Sequence, residues 1–259
     1  MNKRDQRFDK IIEYLKTRSA ASIRDLSSLC GVSEITTRRD LAELAEDRIV
    51  TLLHGAAVLN QDSYYENFER IYRLADEGSK NREEKERIGE RAGSMIAEDD
   101  IVIIDSGSTT EWLARKIPEE RCCKALCYAL NILIELHKKP NIDIVFAGGE
   151  LHRNTLNFEG PEGINLIRRF RANTAFISAG GIDFELGVTS ANSFETEAKR
   201  RILRSARTRV LLADASKIGT VNSHHFADID DFEVLITDSR LKAEQREKIA
   251  GHGVEVIVV

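Results

Sequence analysis

No apolar run in this chain approaches the roughly 20 residues that a membrane-spanning helix needs, and the charged N-terminus lacks the apolar core of a signal peptide. The expected location is therefore cytoplasmic, with no membrane partner. Cysteine is scarce: the 4 residues, Cys30, Cys122, Cys123 and Cys127, include an adjacent pair. In a reducing compartment they predict free, buried thiols rather than a disulfide framework. Cys122 and Cys127 lack CxxC spacing and nearby histidines, so no metal site is expected. Internal repeats and low-complexity tracts are absent as well. An excess of positive charge is also missing, because 38 Lys and Arg against 43 Asp and Glu leave a net charge of −5. That balance at first opposes a nucleic-acid partner. Counted separately, residues 1–58 hold ten basic against nine acidic side chains, a net +1 that leaves −6 for the remainder. So weak an asymmetry makes local placement of charge matter more than its total. Affinity for DNA would then come from pairing domains in an oligomer, not from one strongly basic surface.

What is present is concentrated between residues 31 and 41. Gly31 can take the positive φ of a tight bend between helices, and Ser33 is a good N-cap for a helix beginning just after it. At 100° per residue Thr37, Leu41 and Leu44 share one side of that helix. Ile35 and Arg39 lie opposite, with Thr36 and Arg38 flanking them. Upstream, Ser22-Ile23-Arg24-Asp25 has the pattern of a capping box and opens a short helix through Leu29. Before it, Phe8, Ile11, Ile12 and Leu15 form the apolar stripe of a longer helix. Downstream, residues 49–53 and 56–59 read as two strands joined by a turn at His54-Gly55, which would make a β-wing. Two arginines on an amphipathic helix more often belong to a solvated face than to a DNA contact. The order of helix, capped helix, glycine turn, basic helix and hairpin is far more specific, and it predicts a winged helix-turn-helix.

Residues 4–59 resemble the DNA-binding domain of the DeoR family of bacterial sugar-catabolism regulators. The family pattern Val-Ser-Glu-x-Thr-Ile-Arg-Arg-Asp-Leu is carried here by Val32-Ser33-Glu34-Ile35-Thr36-Thr37-Arg38-Arg39-Asp40-Leu41. Three positions depart from the pattern. Thr37 stands where the family has a buried isoleucine, Leu52 where the wing usually has arginine, and Ala56 where it has a second glycine. The resemblance implies double-stranded operator DNA as a partner. Its contacts would be made by Ser33, Ile35, Thr36, Arg38, Arg39, His54 and Gly55.

The 259 residues leave room for about two domains. We expect the winged helix over 1–59, a linker over 60–80 and a larger α/β domain over 81–259. The linker carries polar residues, but Phe68, Ile71, Tyr72 and Ala75 recur at helical spacing, which favours packing within or between subunits over stacking on bases. Beyond residue 83, helical patterns alternate with six short apolar runs at 101–104, 142–146, 174–178, 210–213, 234–237 and 254–259. This predicts a sheet covered on both faces.

In such sheets ligands bind beyond the carboxyl ends of the strands. There the chain places Asp105-Ser106-Gly107-Ser108-Thr109-Thr110, Gly148-Gly149, Gly181 with Asp183, and Lys217. Small hydroxyl residues and a glycine at a helix start can present backbone N–H groups to a phosphate. Asp105 and Asp183 can accept from hydroxyls, and Lys217 can neutralise charge. A ligand-free loop of this composition is also common. The loop lacks the Gly-Lys-[Ser/Thr] of a P-loop and the spacing of a dinucleotide fingerprint, so no cofactor is expected.

This region is similar to the DeoR-family sensor domain, which itself resembles ribose-5-phosphate isomerase, so the resemblance spans nearly the whole chain. The isomerase's serine-threonine loop matches Ser106 to Thr110, and its Asp-Ala-Ser-Lys segment matches Asp214-Ala215-Ser216-Lys217. Its catalytic aspartate and lysine are missing where Ala179 to Asp183 and Thr189 to Asn192 stand. Glu195 and Glu197 are both candidates for its catalytic glutamate. Sugar isomerisation needs a positioned base, so the resemblance implies binding without turnover and no catalytic residues. Tyr128, Asn131 and His152 lie in segments that look most like the deoxyribonucleoside-catabolism repressors of the family, whose effector is deoxyribose 5-phosphate. The expectation is a homo-oligomeric repressor, dimer or tetramer, controlled by a phosphorylated sugar. Two alternatives remain: a sugar-phosphate isomerase or deaminase fused to a winged helix, and a winged helix that serves only protein interaction.

Overall fold

The computed structural model describes residues 3–18, 20–46, 49–53, 55–59 and 74–259. They fall into two compact units, Met1–Ile71 and Tyr72–Val259.

In the first unit, α1 (Lys3–Arg18), α2 (Ile23–Cys30) and α3 (Glu34–Glu46) pack around Ile11, Leu15, Leu26, Leu41 and Leu44, all buried. The ends of α2 are set by two residues. Ser22 Oγ accepts from the Asp25 amide at 3.1 Å, and Gly31, with φ of 66°, closes the helix in the left-handed region that favours glycine. A hairpin of β2 (Val50–Leu53) and β3 (Ala56–Leu59) follows, and β3 also pairs with β1 (Ala20–Ser22). The third strand was not anticipated, because three residues carry too little pattern to register. His54 lies outside the described residues, as does most of the stretch read as a linker.

The second unit begins with a helix, Leu74–Ser79, inside that expected linker; Leu74 is buried. Seven parallel strands form its sheet: β4 (Asp100–Ile104), β5 (Cys123–Cys127), β6 (Ile142–Phe146), β9 (Ala172–Ser178), β12 (Ala206–Leu212), β14 (Val234–Thr237) and β15 (Glu255–Val258). Alternate residues enter two separate cores. Ile103, Leu126, Leu211 and Leu235 pack on one face with Ile167, Ala198, Ile202 and Ile249. Val102, Ile104, Val210 and Ile236 pack on the other with Ile88, Leu113 and Ile132. The period-2 alternation of a strand therefore needs helices on both faces, and the near-continuous apolar runs follow from it.

The order across the sheet is β15-β14-β12-β9-β4-β5-β6. From β4 the chain moves outward to β5 and β6, then returns to β9 on the opposite side. Carboxyl ends of β4 and β9 therefore flank the point where strand order reverses, the place where such sheets leave a crevice. Two smaller pieces stand beside the sheet: β7 (Glu150–His152) with β8 (Asn157–Glu159), and β10 (Gly181–Asp183) with β11 (Gly187–Ser190) and β13 (His224–Ala227). All four cysteines are free, but only Cys123 and Cys127 are buried; Cys122 is exposed and Cys30 intermediate. Cys122 falls just before β5, outside the packed strand, which corrects the expectation of buried thiols. Among the described residues no helix is long and apolar enough to cross a membrane.

Candidate functional site

The first candidate surface is α3. Ser33 Oγ accepts from the Thr36 amide at 3.2 Å and lies 3.0 Å from Thr36 Oγ1, so the helix start is capped as its sequence suggests. Leu41 and Leu44 turn into the core, while Ile35 is 78% exposed and Arg38 and Arg39 are exposed. Neither arginine has a hydrogen-bond or ion-pair partner among the described residues. By contrast the next acidic residue, Asp40, is buried and held by Arg7 through Nε at 2.7 Å and Nη2 at 3.0 Å. Thr37, the departure from the family pattern, is fully buried, and its hydroxyl donates to Ser33 O at 3.2 Å. A hydroxyl in the core is thus satisfied one helical turn back. Gly55 is exposed at the hairpin turn, and its carbonyl accepts from Ile23 N at 3.0 Å. On β2, Leu52 and Leu53 are exposed.

The second candidate is the crevice at β4 and β9. Two adjoining clefts of about 330 and 300 Å³, both open to solvent, share Gly107, Ser178 and Ala179 as lining. One is completed by Ser106, Thr155, Ser190, Glu195 and Lys199. The other is completed by Glu77, Lys85, Ser108, Thr109 and Lys217. Of the residues expected to gather here, Ser106, Gly107, Ser108, Thr109 and Lys217 do so. Lys217 is carried on a tight turn, Ala215–Lys217, which the Asp214 side chain caps by accepting from Ser216 N at 3.1 Å.

Asp105 lies beneath the clefts with no exposure. Its carboxylate accepts from the Tyr128 hydroxyl, from Lys199 Nζ, from Ser178 N at 2.9 Å and from Ser178 Oγ at 3.1 Å. The Lys199 and Ser178 contacts fall on Oδ2 and the Tyr128 hydroxyl on Oδ1, so both oxygens of this buried carboxylate are engaged from within the protein. Asp105 therefore organises the floor of the site instead of offering a free acceptor to a ligand hydroxyl. Burial first, and then the neighbouring Asp105 charge, push the Tyr128 phenol well above its ordinary value, so it remains the donor. Thr110 is also fully buried and donates to Gly107 O at 3.1 Å, which braces the loop from inside.

Gly148, Gly149, Gly181 and Asp183 line neither cleft. The two glycines of 148–149 follow β6, an edge strand separated from β4 by β5, and Gly149 packs on the Glu159 backbone with no room for a Cβ. Gly181 packs in the same way on Thr220. Asp183 turns back on its own loop, accepting from Glu185 N and Leu186 N at 2.9 Å each, and these bonds lower its pKa. These positions serve turns and close packing, which a glycine-rich loop signals equally well.

Sequence reasoning overlooked Lys199, Ser178 and Lys85. Lys199 sits among charged neighbours and reads as solvated, yet it is 2% exposed. The available signal was its spacing from Glu195, Ala198, Ile202 and Leu203, which puts it on the buried stripe of the helix Ser193–Ser205. Glu195 is buried, accepting from the Ser190 hydroxyl and from Asn157 and Asn192 at 3.2 Å each. Burial raises its carboxyl against the opposing pull of Lys199. In the second cleft, burial would also raise Glu77. Hydrogen bonds from Lys217 and Lys80, 2.7 Å each, overcome it and hold the carboxyl at about 2. Lys85, 1% exposed, donates to the Glu77 carbonyl, and burial lowers its pKa.

Comparison with known proteins places both units. A DeoR-like helix-turn-helix domain model matches residues 7–63, and a DeoR C-terminal sensor domain model matches 80–239. The HTH-type transcriptional regulator GolR of Listeria innocua is 32% identical over 97% of both chains. The deoxyribose operon repressor of Escherichia coli K12 is 31% identical over 91% of each. Among solved structures, ribose 5-phosphate isomerase A from Methanocaldococcus jannaschii aligns over 53% of this chain and 55% of its own, with 14% identity and a TM-score of 0.41. A likeness that slight carries no functional conclusion. With a family model over most of the α/β unit, a second over the winged helix and relatives matched nearly end to end, the chain belongs to the DeoR family.

Proposed function

We propose that this protein is a transcriptional repressor of a sugar or nucleoside catabolic operon, and that a phosphorylated sugar in the crevice at β4 and β9 controls its hold on operator DNA. The observation that carries the first half is the α3 surface. Arg38 and Arg39 stand exposed, without a partner among the described residues, on a capped helix whose opposite face is fixed in the core. Arg39 is assigned to a guanine edge in the major groove, Ile35 to a thymine methyl, and Arg38 and Thr36 to the flanks. Ser33 caps the helix at the backbone, and Gly55 with His54, the latter outside the described residues, is assigned to the DNA backbone or minor groove. A homo-oligomer, dimer or tetramer, would read half-sites about one helical turn apart.

The second half rests on Lys217, Ser108 and Thr109 lining one cleft with the start of the helix Ser108–Lys116. Free amides at that start and the Lys217 ammonium suit a phosphate. Glu77 already occupies Lys217, so an arriving phosphate would exchange with it. Glu77 belongs to the helix Leu74–Ser79, the first described element after the winged helix in sequence. Binding without turnover is favoured because Asp105 is fully buried, lines neither cleft and is tied to Lys199, Tyr128 and Ser178, so it is poorly placed to serve as a base. The names of the relatives support the repressor reading, and deoxyribose 5-phosphate is the first effector to try.

Fluorescence anisotropy with DNA upstream of the gene and its neighbours, run with a panel of phosphorylated sugars, tests both halves. Specific binding should be released by one compound. Arg39→Ala should weaken operator binding about tenfold or more, as loss of one bidentate base contact does, with sugar-phosphate binding unchanged. Equal operator affinity of variant and wild type at matched salt would defeat the assignment of Arg39.

A further inference from the structure

The two clefts share Gly107, Ser178 and Ala179, so they are halves of one groove, and their chemistry differs sharply. The half with the helix start carries two cations, Lys217 and Lys85, against one carboxylate, Glu77, which pairs Lys217 at 2.7 Å. The other half contains one cation among its described lining residues, Lys199, and that ammonium is committed to Asp105 and to Ser178 O at 3.0 Å. The other polar side chains of that half are the Glu195 carboxyl and the hydroxyls of Ser106, Ser178, Ser190 and Thr155, beside the apolar Leu74. Thr155 is 2% exposed, yet among the described residues its Oγ1 has no hydrogen-bond partner. Buried hydroxyls are ordinarily paired, and this one lines a cleft that a ligand hydroxyl can enter. Nearby, Asn157 Oδ1 is likewise without a partner while its amide nitrogen holds Glu195 at 3.2 Å.

Resting on the phosphate assignment above, we infer that the Thr155–Glu195 half is a hydroxyl-reading subsite. The ligand is then a polyhydroxylated monophosphate, bound with its phosphate toward Lys217 and its uncharged end against Thr155, Ser190 and Glu195. A ligand hydroxyl both donates and accepts, so it can complete Thr155 and use the remaining acceptor capacity of Glu195. Among the described lining residues a second phosphate at that end meets no uncommitted cation and faces a buried carboxyl, so the groove discriminates against bisphosphates. The discrimination is electrostatic and directional: two cations, Lys217 and Lys85, face one carboxylate, Glu77, in one half, whereas Lys199 in the other is balanced by buried Asp105 beside the Glu195 carboxyl.

Calorimetric titration of the full chain tests this with inorganic phosphate, deoxyribose 5-phosphate, ribose 5-phosphate and fructose 1,6-bisphosphate. The best monophosphate should bind wild type at least tenfold more tightly than the bisphosphate. Thr155→Val, which keeps the shape and removes the hydroxyl, should weaken that monophosphate about tenfold and leave inorganic phosphate within twofold. Retained phosphate binding shows that the variant is folded. Normal phosphate binding with an unaltered monophosphate affinity in the variant, or a bisphosphate bound as tightly by wild type, overturns the subsite alone. Failure of wild type to bind any of the four overturns the phosphate assignment and the subsite with it.

Discussion

Arg38 and Arg39 on α3 stand in solvent with no partner among the described residues, whereas in the α/β unit Lys199 is locked to Asp105 and Lys217 to Glu77. The difference follows from what each surface has to meet. A duplex brings a dense array of phosphates that displaces its own counterions, so a DNA-reading arginine can wait in water at little cost. A small ligand enters a partly buried crevice, where an unpaired ammonium would lose its hydration with nothing in return. The crevice therefore pairs its cations Lys199 and Lys217 internally. A ligand can bind only by replacing an internal partner or by satisfying what the protein leaves unpaired.

The largest break in this comparison is expected at Lys199. Lys199→Ala leaves Asp105 buried with only hydroxyl and amide donors, and it should lower stability by about 3–5 kcal/mol, as breaking a buried pair typically does. Arg39→Ala should stay within about 0.5 kcal/mol of wild type, because an exposed side chain without contacts is removed. Urea unfolding of both variants checks this. A loss below about 1 kcal/mol for Lys199→Ala would mean that the other donors suffice for Asp105, and the contrast between the surfaces would fail.

Glu77→Gln gives a smaller and pH-dependent effect. The folded carboxyl sits at about 2, below its ordinary 4.5, so its stabilising contribution is complete above about 4.5 and is lost as pH falls toward 2. Wild type should exceed the variant by about 1–2 kcal/mol at neutral pH, the scale of a hydrogen bond to a charged group. The two should converge at the acid end of that window. At neutral pH the variant should also bind inorganic phosphate more tightly, since Lys217 no longer faces a competing carboxylate. Weaker phosphate binding in Glu77→Gln would remove the exchange mechanism while leaving the pH argument standing.

How legible each surface was follows the same division. The winged helix is built from local signals: the Ser22 and Ser33 caps, the left-handed Gly31, and the face carrying Leu41 and Leu44 all act within a few residues. Six of the seven central strands announce themselves as apolar runs. The seventh, Cys123–Cys127, hides because Lys124 interrupts it and cysteine and alanine carry little strand preference. The side sheet pairs β11 with β13 across more than thirty residues, and Lys199 meets Asp105 94 positions away. No local pattern encodes such meetings. Glycines at 148–149 misled for the complementary reason: a sequence shows that a loop can approach something closely, but sheet order decides what lies there.

The smallest effect is expected at Thr37, where this chain departs from the DeoR pattern inside the recognition helix. Its hydroxyl bonds to Ser33 O, but that carbonyl also accepts from Thr37 N at 3.0 Å. Thr37→Val would therefore strand no acceptor and would exchange a buried hydroxyl for a methyl of similar shape, with a net change under about 1 kcal/mol. Operator affinity should remain within about threefold, because Thr37 is buried and the side chains proposed to meet DNA point the other way. If Thr37→Val shifts affinity tenfold at unchanged stability, the hydroxyl must set the pitch of the first turn. Ile35 and Arg39 would then depend on that buried bond for their aim, and the division between a fixed core face and a free reading face would no longer hold within α3.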